Sequence, residues 1–69
     1  MTKVMTIYIN DTEKMCKATT LTAVLAEFGI DTRGVAIAQG ERIIPRTKWS
    51  EYQLTEGEHL TLIRATQGG

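Results

Sequence analysis

A single apolar stripe at helical spacing lies near the middle of this chain, and it constrains the possible fold more than any other feature. The positions i, i+3, i+4 and i+7 of one helical face are all apolar: Leu21, Val24, Leu25 and Phe28. Thr19 and Thr20 precede the stripe and offer N-cap hydroxyls, and Gly29 follows it where a C-terminal cap belongs. The sequence therefore predicts one helix that buries only one face.

Segments rich in β-forming residues lie on both sides of this helix. Before it, two such segments are separated by the polar step Asn10-Asp11-Thr12, which predicts a hairpin. After it, short apolar segments are divided by the turn residues Gly40 and Gly57 and by Pro45. The predicted strands are residues 4–10, 13–17, 35–38, 42–44 and 59–65.

This order of a hairpin, a helix and further strands predicts an α+β domain of the ubiquitin-like β-grasp type. We expect a mixed four- to five-stranded sheet with one main helix, which covers one face and leaves the other open for partners. Trp49 and Leu54, in the segment before the last strand, are expected to pin that segment to the core. Residues 1–65 are assigned to the domain and residues 66–69 to a flexible C-terminal tail.

The last predicted strand leads directly into this tail, and its side chains alternate between the two faces of the sheet. We assign Leu60 and Leu62 to the helix-facing side and Ile63 to the open face. An exposed aliphatic side chain just before the tail is a suitable docking contact for a partner. Arg46 and Arg64 could steer a docked partner, although we interpret both as ordinary solvated charges.

Length and charge exclude several classes of function. A chain of 69 residues has room for one domain, and it buries only about 60 % of its unfolded surface, so a deep catalytic cleft is not expected. Lysine plus arginine and aspartate plus glutamate each count 8, which gives no electrostatic footprint for nucleic acid or an anionic membrane. No apolar run approaches the roughly 20 residues of a membrane span. We expect a cytoplasmic protein.

The residues that most often carry chemistry occur singly. Cys16 is the only cysteine, which fits a reducing compartment. A sulfur-accepting thiol is the alternative, but a Met15-Cys16 pair at a strand position favours core packing. His59 is the only histidine and is interpreted as a solvated strand residue, because no second metal ligand lies at a useful spacing. No catalytic constellation is present, so the chain is not expected to be an enzyme.

The sequence ends in Gly68-Gly69. Two residues without a Cβ can thread a passage that is too narrow for other residues, and their flexibility makes them poor material for a packed terminus. Such a tail suits a partner enzyme that must grip the backbone and activate the terminal carboxylate. A frayed end or a remnant of cloning would give the same dipeptide, so the ending alone does not decide between these interpretations.

The segment around Pro45, taken together with this ending, forms a more specific pattern. It reads Ile43-Ile44-Pro45-Arg46 and is followed by Trp49. With Leu54, Gly57 and the closing Gln67-Gly68-Gly69, the chain resembles the ThiS family, the sulfur carriers of thiamin thiazole synthesis, over its whole length. Three positions depart from the usual pattern of that family: Gly40 at a turn, Glu58 in place of aspartate, and Thr66 in place of an aliphatic residue.

The resemblance implies a mechanism that centres on the tail. A ThiF-like adenylyltransferase would bind the domain through Ile63 and Arg64 and adenylate the Gly69 carboxylate, with Thr66, Gln67 and Gly68 forming the tail. ATP and magnesium would belong to that enzyme, so the chain itself needs no cofactor and no metal. A persulfide donor would then supply sulfur to form a thiocarboxylate, which a ThiG-like thiazole synthase would consume. On its own the carrier would be a monomer.

Two alternatives stay open at this point. The first is a related β-grasp sulfur carrier, such as the small subunit of molybdopterin synthase or a carrier for another sulfur-containing metabolite. The second is a ubiquitin-like modifier that forms isopeptide bonds and delivers no sulfur. The first would share the terminal chemistry but have a different acceptor, whereas the second would yield conjugates to lysine side chains.

Overall fold

The computed structural model describes residues 3–64, and within that range the predicted order of elements is confirmed. The strands are β1 (Met5–Ile9), β2 (Thr12–Cys16), β3 (Val35–Gln39), β4 (Arg42–Ile44) and β5 (His59–Arg64). The helix α1 spans Leu21–Glu27, and a short 3₁₀ helix spans Arg46–Lys48. Ala65, which was predicted to close the last strand, and the tail at 66–69 lie outside the described residues.

The five strands form one mixed sheet in the order β2-β1-β5-β3-β4. β1 and β5 run parallel at its centre, and every other neighbouring pair is antiparallel. Tyr8 pairs with His59, and Val35 pairs with Arg64 at the far end of β5. The predicted mixed sheet is therefore confirmed with five strands, and the strand that leads toward the tail lies in its middle.

The helix begins and ends as its flanking residues predict. Thr20 is the N-cap, and its Oγ1 accepts a hydrogen bond from the Ala23 N–H at 3.3 Å. At the other end the Gly29 N–H donates to the Ala26 oxygen at 3.1 Å, and the Ile30 N–H donates to the Leu25 oxygen at 3.0 Å. This pair of bonds is a Schellman motif, and Gly29 takes the positive φ of +67° that the motif requires.

One core lies between the helix and the sheet. The helix stripe packs there as predicted, with Leu21, Val24 and Leu25 buried and Phe28 half-buried. The remaining buried members come from the strands and from the segment before β5: Ile7, Ile9, Cys16, Val35, Ile37, Ile44, Trp49, Leu54 and Leu60. The Trp49 Nε1–H also donates to the Ile44 oxygen at 2.9 Å, so the indole anchors the connecting segment by packing and by a hydrogen bond.

Glu27, the last residue of α1, ties the helix to the chain that leaves β2. Its carboxylate accepts hydrogen bonds from the Lys17 N–H at 3.0 and 3.1 Å and from the Ala18 N–H at 3.1 Å. These main-chain donors, Ala18 first and then Lys17, hold the pKa of Glu27 below its ordinary value of 4.5. The ionised carboxylate thus links the end of α1 to the segment that follows β2.

We expect Glu27→Gln to reduce the dependence of the free energy of unfolding on pH in the acid range. Because the folded-state pKa of Glu27 is depressed, its contribution is present above about pH 4.5 and is lost as the pH falls through the folded-state value. The wild type should lose unfolding free energy in that window, and Glu27→Gln should lose less of it. Urea unfolding at pH 7, 5, 4 and 3 measures this, with the exposed Glu41→Gln as control. Parallel curves for Glu27→Gln and wild type would contradict it.

Candidate docking face and tail exit

The face of the sheet that points away from the helix is left uncovered, and we call it the open face. Paired residues on neighbouring strands present their side chains to the same face, so the registers define its members. They are Thr6, Tyr8, Glu13, Met15, Ala36, Ala38, Ile43, His59, Thr61 and Ile63. Ile63 lies where the alternation of the last strand placed it, with 46 % of its surface exposed.

Ile63 belongs to an apolar cluster that spans three strands. It pairs with Ala36, while Ala38 pairs with Ile43, which is 55 % exposed. The two alanines leave a low floor between the two isoleucines, and Ala38 is buried there. We call Ala36, Ala38, Ile43 and Ile63 the isoleucine patch. Its surface suits the charge-depleted, apolar centre of a protein interface.

No aspartate, glutamate, lysine or arginine lies on the open face within β3, β4 and β5 as described. Ile43 was not predicted as a site residue, although the sequence carried the signal. Because Ile44 is a core residue in a strand, its neighbour Ile43 must point to the opposite face. Because these strands carry no charged residue on the open face, a partner that covers the isoleucine patch does not have to desolvate a charged group there.

An aromatic pair lies beside the patch. The rings of Tyr8 and His59 are stacked, with centroids 4.5 Å apart and an interplanar angle of 8°. His59 is exposed, as its interpretation as a solvated strand residue requires. Among residues 3–64 no three histidine, cysteine, aspartate or glutamate side chains form a group that could hold a metal ion. The stack widens the open face toward β1 with a surface that is flat and partly polar.

The tail leaves the domain at the end of β5, beside two loops. Arg64 pairs with Val35 of β3 and therefore lies on the face opposite Ile63. It is exposed, and its Nη1 donates to the main-chain oxygen of Asp31 at 3.4 Å. On the other edge of β5, the side chain of Asn10 contacts the main chain of Leu62. The site residues predicted in the tail itself, which are Thr66, Gln67, Gly68 and Gly69, lie outside the described residues.

The structure corrects the interpretation of Arg46 as an ordinary solvated charge. Its Nη2 donates to the Thr32 oxygen at 2.7 Å and to the Val35 oxygen at 3.0 Å. The guanidinium also lies over the indole of Trp49, 4.5 Å from the ring centroid. Arg46 therefore holds the loop before β3 in place, and this role depends on contacts that sequence spacing does not reveal.

A buried carboxylate that sequence reasoning missed lies at the turn before β5. Glu58 accepts hydrogen bonds from the Thr55 N–H at 2.9 Å, from the Thr55 hydroxyl at 3.2 Å and from the Tyr52 hydroxyl. Burial first, and the bond to Glu58 second, raise the pKa of Tyr52 to about 12. All the polar contacts of this group stay within the turn and the segment before it, so we assign it a structural role.

Cys16 lies in the core, as its interpretation as a packing residue requires. The side chain is buried, and burial, followed by the nearby charges of Glu27 and Glu56, raises the pKa of its thiol above the ordinary value of 9.0. A thiol that stays protonated and covered is a poor sulfur acceptor.

Among residues 3–64 the structure contains no helix long and apolar enough to cross a membrane.

Comparison with known proteins agrees with this geometry. The sequence profile of the ThiS family matches residues 2–69. A thiazole synthase from Paramagnetospirillum magneticum is 30 % identical over 66 residues, which cover 94 % of this chain but only 20 % of the length of that protein. The crystal structure of the thiamine biosynthesis protein ThiS from Geobacter metallireducens superposes with a TM-score of 0.77 at 13 % identity, covering 94 % of this chain and 100 % of that one. The predicted β-grasp fold is thereby confirmed.

Proposed function

The chain belongs to the ThiS family, the sulfur carriers of thiamin biosynthesis, and from this premise we propose that Gly69 is its reacting residue. Its carboxylate is adenylated and then converted to a thiocarboxylate, which donates sulfur for the thiazole ring of thiamin. The observation that carries the proposal is the position of Ile63, exposed on the open face near the end of the strand that leads into the tail. Docking and delivery thus use one continuous stretch of chain.

Reach makes this arrangement workable. From Thr66 to Gly69 an extended chain spans at most about 13 to 14 Å, at roughly 3.3 to 3.6 Å per residue. The carboxylate can therefore enter a buried site while the domain stays outside, held through the isoleucine patch. Two glycines at the tip suit a narrow entrance because neither has a Cβ.

The chemistry begins with a carboxylate that acylates poorly until one oxygen becomes part of a leaving group. The Gly69 carboxylate attacks the α-phosphate of ATP, pyrophosphate leaves, and an acyl adenylate forms. The terminal sulfur of a cysteine-derived persulfide then displaces AMP and gives an acyl disulfide. A second thiol cleaves the sulfur–sulfur bond, which reduces the acyl sulfur to a thiocarboxylate and leaves the donor sulfur in a new disulfide.

In this proposal the carrier is a cosubstrate and the catalysts are its partners. A ThiF-like adenylyltransferase binds ATP and magnesium, and the carrier contributes a docking face and a tail of fixed length. The gain comes from holding the two reactants together in a productive geometry. We assign Ile63 to docking on the open face, and we assign Arg64, which lies on the opposite face of the sheet beside the tail exit, to partner contact at that exit.

The acceptor we propose is a thiazole synthase. In the relative from Paramagnetospirillum magneticum, a segment similar to this chain makes up 20 % of a protein named thiazole synthase. Joining two reacting modules in one chain raises their effective concentration for each other, and this gain is useful only if the modules act together. The same pairing, between separate chains, is what we expect for this carrier.

The direct test is to detect the thiocarboxylate. The purified chain, whose intact mass is measured first, is incubated with a ThiF-like adenylyltransferase, magnesium ATP and a persulfide donor, and is then treated with a thioacid-selective alkylating reagent. We expect ATP-dependent label at Gly69. Fragmentation must localise it, because exchanging oxygen for sulfur changes the mass almost as methionine oxidation does, and Met1, Met5 and Met15 are all oxidisable.

The same preparation distinguishes the alternatives. Thiocarboxylate carrier that has not been alkylated is offered to a thiazole synthase and, separately, to the large subunit of molybdopterin synthase. Samples are withdrawn over time and only then alkylated, so that the label measures the thiocarboxylate that remains. We expect consumption only by the thiazole synthase. Consumption only by the other acceptor would assign the chain to a different sulfur pathway, and lysine conjugates without any thiocarboxylate would establish a protein modifier.

A further inference from the structure

The side chain of Asn10 makes two hydrogen bonds to one residue of the last strand. Its Oδ1 accepts from the Leu62 N–H at 2.9 Å, and its Nδ2 donates to the Leu62 oxygen at 3.3 Å. The main-chain N–H of Asn10 also donates to the Leu60 oxygen at 3.0 Å. The amide group thus offers β5 one donor and one acceptor, which is what the next residue of a neighbouring strand would offer.

This extra pairing falls where the main chain of β1 is no longer available. β1 ends at Ile9, and the chain turns back into β2 through Asn10 and Asp11, with φ values of 53° and 66°. On its other edge β5 stays paired with β3 as far as Arg64. Without the Asn10 side chain, the last part of β5 would be held on one edge only.

The turn by itself does not account for these bonds. A two-residue hairpin loop with positive φ at both positions favours Asn, Asp or Gly, so any of the three would satisfy residue 10 as a turn residue. Only asparagine among them offers both a donor and an acceptor. Aspartate would place a second acceptor oxygen against the Leu62 carbonyl, and glycine would reach neither group.

We propose that Asn10 is a positioning residue for sulfur transfer: its amide extends the pairing of β5 past the end of β1 and so fixes the direction in which the chain leaves the sheet toward the tail. This inference rests on the proposed function, because a fixed exit matters only if the tail is delivered to a reaction site. With the domain docked through the isoleucine patch, a swinging exit would spread the positions of the carboxylate. Productive adenylation would then be rarer at unchanged docking.

Asn10→Gly is the test variant and Asp11→Gly is its matched control. Both place glycine at a positive φ in the same turn, so both change the unfolded chain in the same way. Among the hydrogen bonds of residues 3–64, only Asn10 gives β5 side-chain bonds from this turn. Amide exchange is followed at Leu62, with Ile37 in β3 as the internal reference for global opening.

We expect Leu62 to exchange at least about tenfold faster relative to Ile37 in Asn10→Gly, and at the wild-type ratio in Asp11→Gly. In an adenylation assay that measures the release of pyrophosphate, kcat of Asn10→Gly should fall about tenfold while KM stays within about twofold. This fall is reasonable because misplacement of roughly 1 Å can cost on the order of a hundredfold in rate. A residue that served only the global stability of the domain would change neither the exchange rate of Leu62 relative to Ile37 nor kcat once the variant is folded. Asp11→Gly should keep both kinetic constants.

The outcomes separate this inference from the function on which it rests. If the wild type is adenylated and Asn10→Gly matches Asp11→Gly in exchange or in kcat, the role of Asn10 is overturned and the sulfur-carrier function stands. A loss that falls entirely in KM also overturns it, because it would place Asn10 in docking. If the wild-type chain itself is not adenylated, the proposed function fails, and the use of Asn10 fails with it.

Discussion

Deleting Gly69, or changing Gly68 to valine, will abolish thiocarboxylate formation and leave thermal unfolding unchanged. The deletion retracts the carboxylate by about 3.5 Å, and a branched side chain at residue 68 obstructs a narrow entrance. A misplacement of roughly 1 Å can already cost on the order of a hundredfold in rate. Neither glycine has a side chain that could fill the core, so we expect both variants to unfold at the wild-type temperature.

Thioacid-selective labelling with fragmentation measures this result, and thermal unfolding reports on the fold of each variant. Gly68→Ala adds one carbon only and serves as the graded control, with a rate between those of the wild type and Gly68→Val. Equal labelling of the truncated and full-length chains would end the sulfur-carrier proposal. A variant that unfolds at lower temperature would instead reveal a structural role for the tail.

Ile63→Asp will weaken binding to the adenylyltransferase by at least about tenfold with a small effect on folding. Burying a whole isoleucine side chain contributes about 1.5 to 3 kcal/mol, and roughly half of that surface is free for a partner here because Ile63 is 46 % exposed. A factor of ten in Kd corresponds to about 1.4 kcal/mol, and the buried carboxylate adds a desolvation cost. Isothermal titration calorimetry measures the affinity.

Met15→Asp is the matched control for this experiment. Met15 also lies on the open face and is 66 % exposed, but it belongs to the edge strand β2, two positions from β5 in the sheet. We expect its Kd to stay within about twofold of the wild type. Equal losses for the two variants would show that the isoleucine patch is not the docking centre. Unfolding of Ile63→Asp would contradict the assignment of this side chain to the open face.

Local sequence signals predicted most of the fold because the physical causes are themselves local. Thr20 and Gly29 bound the helix through contacts within a few residues of themselves. The alternation of β5 assigned Leu60 to the core and Ile63 to the open face, since period-two geometry needs no knowledge of the partner strand. Even so, β1 is shorter at both ends than residues 4–10, because pairing with the neighbouring strands sets those limits.

The contacts that escaped prediction join residues that are distant in sequence. Arg46 reaches the carbonyl of Thr32, and Asn10 reaches Leu62 across 52 positions. The residues around an arginine or an asparagine are the same whether its side chain hydrogen-bonds to water or to a distant carbonyl. Only the folded structure distinguishes these two cases. The Tyr52–Glu58 pair is close in sequence, yet its burial depends on the packing around the turn.

The central place of β5 also affects when a carrier becomes competent. β1 is formed by residues near the start of the described chain and β5 by residues near its end, and the two are neighbours in the sheet. Contacts of such long sequence separation form late in folding, after the entropy of closing the loop between them has been overcome. The isoleucine patch needs β3, β4 and β5 side by side, and the parallel pairing of β1 holds the other edge of β5. If this patch is the docking surface that we propose, a partner binds only carriers in which these strands have already assembled, and chains that have not folded are not activated.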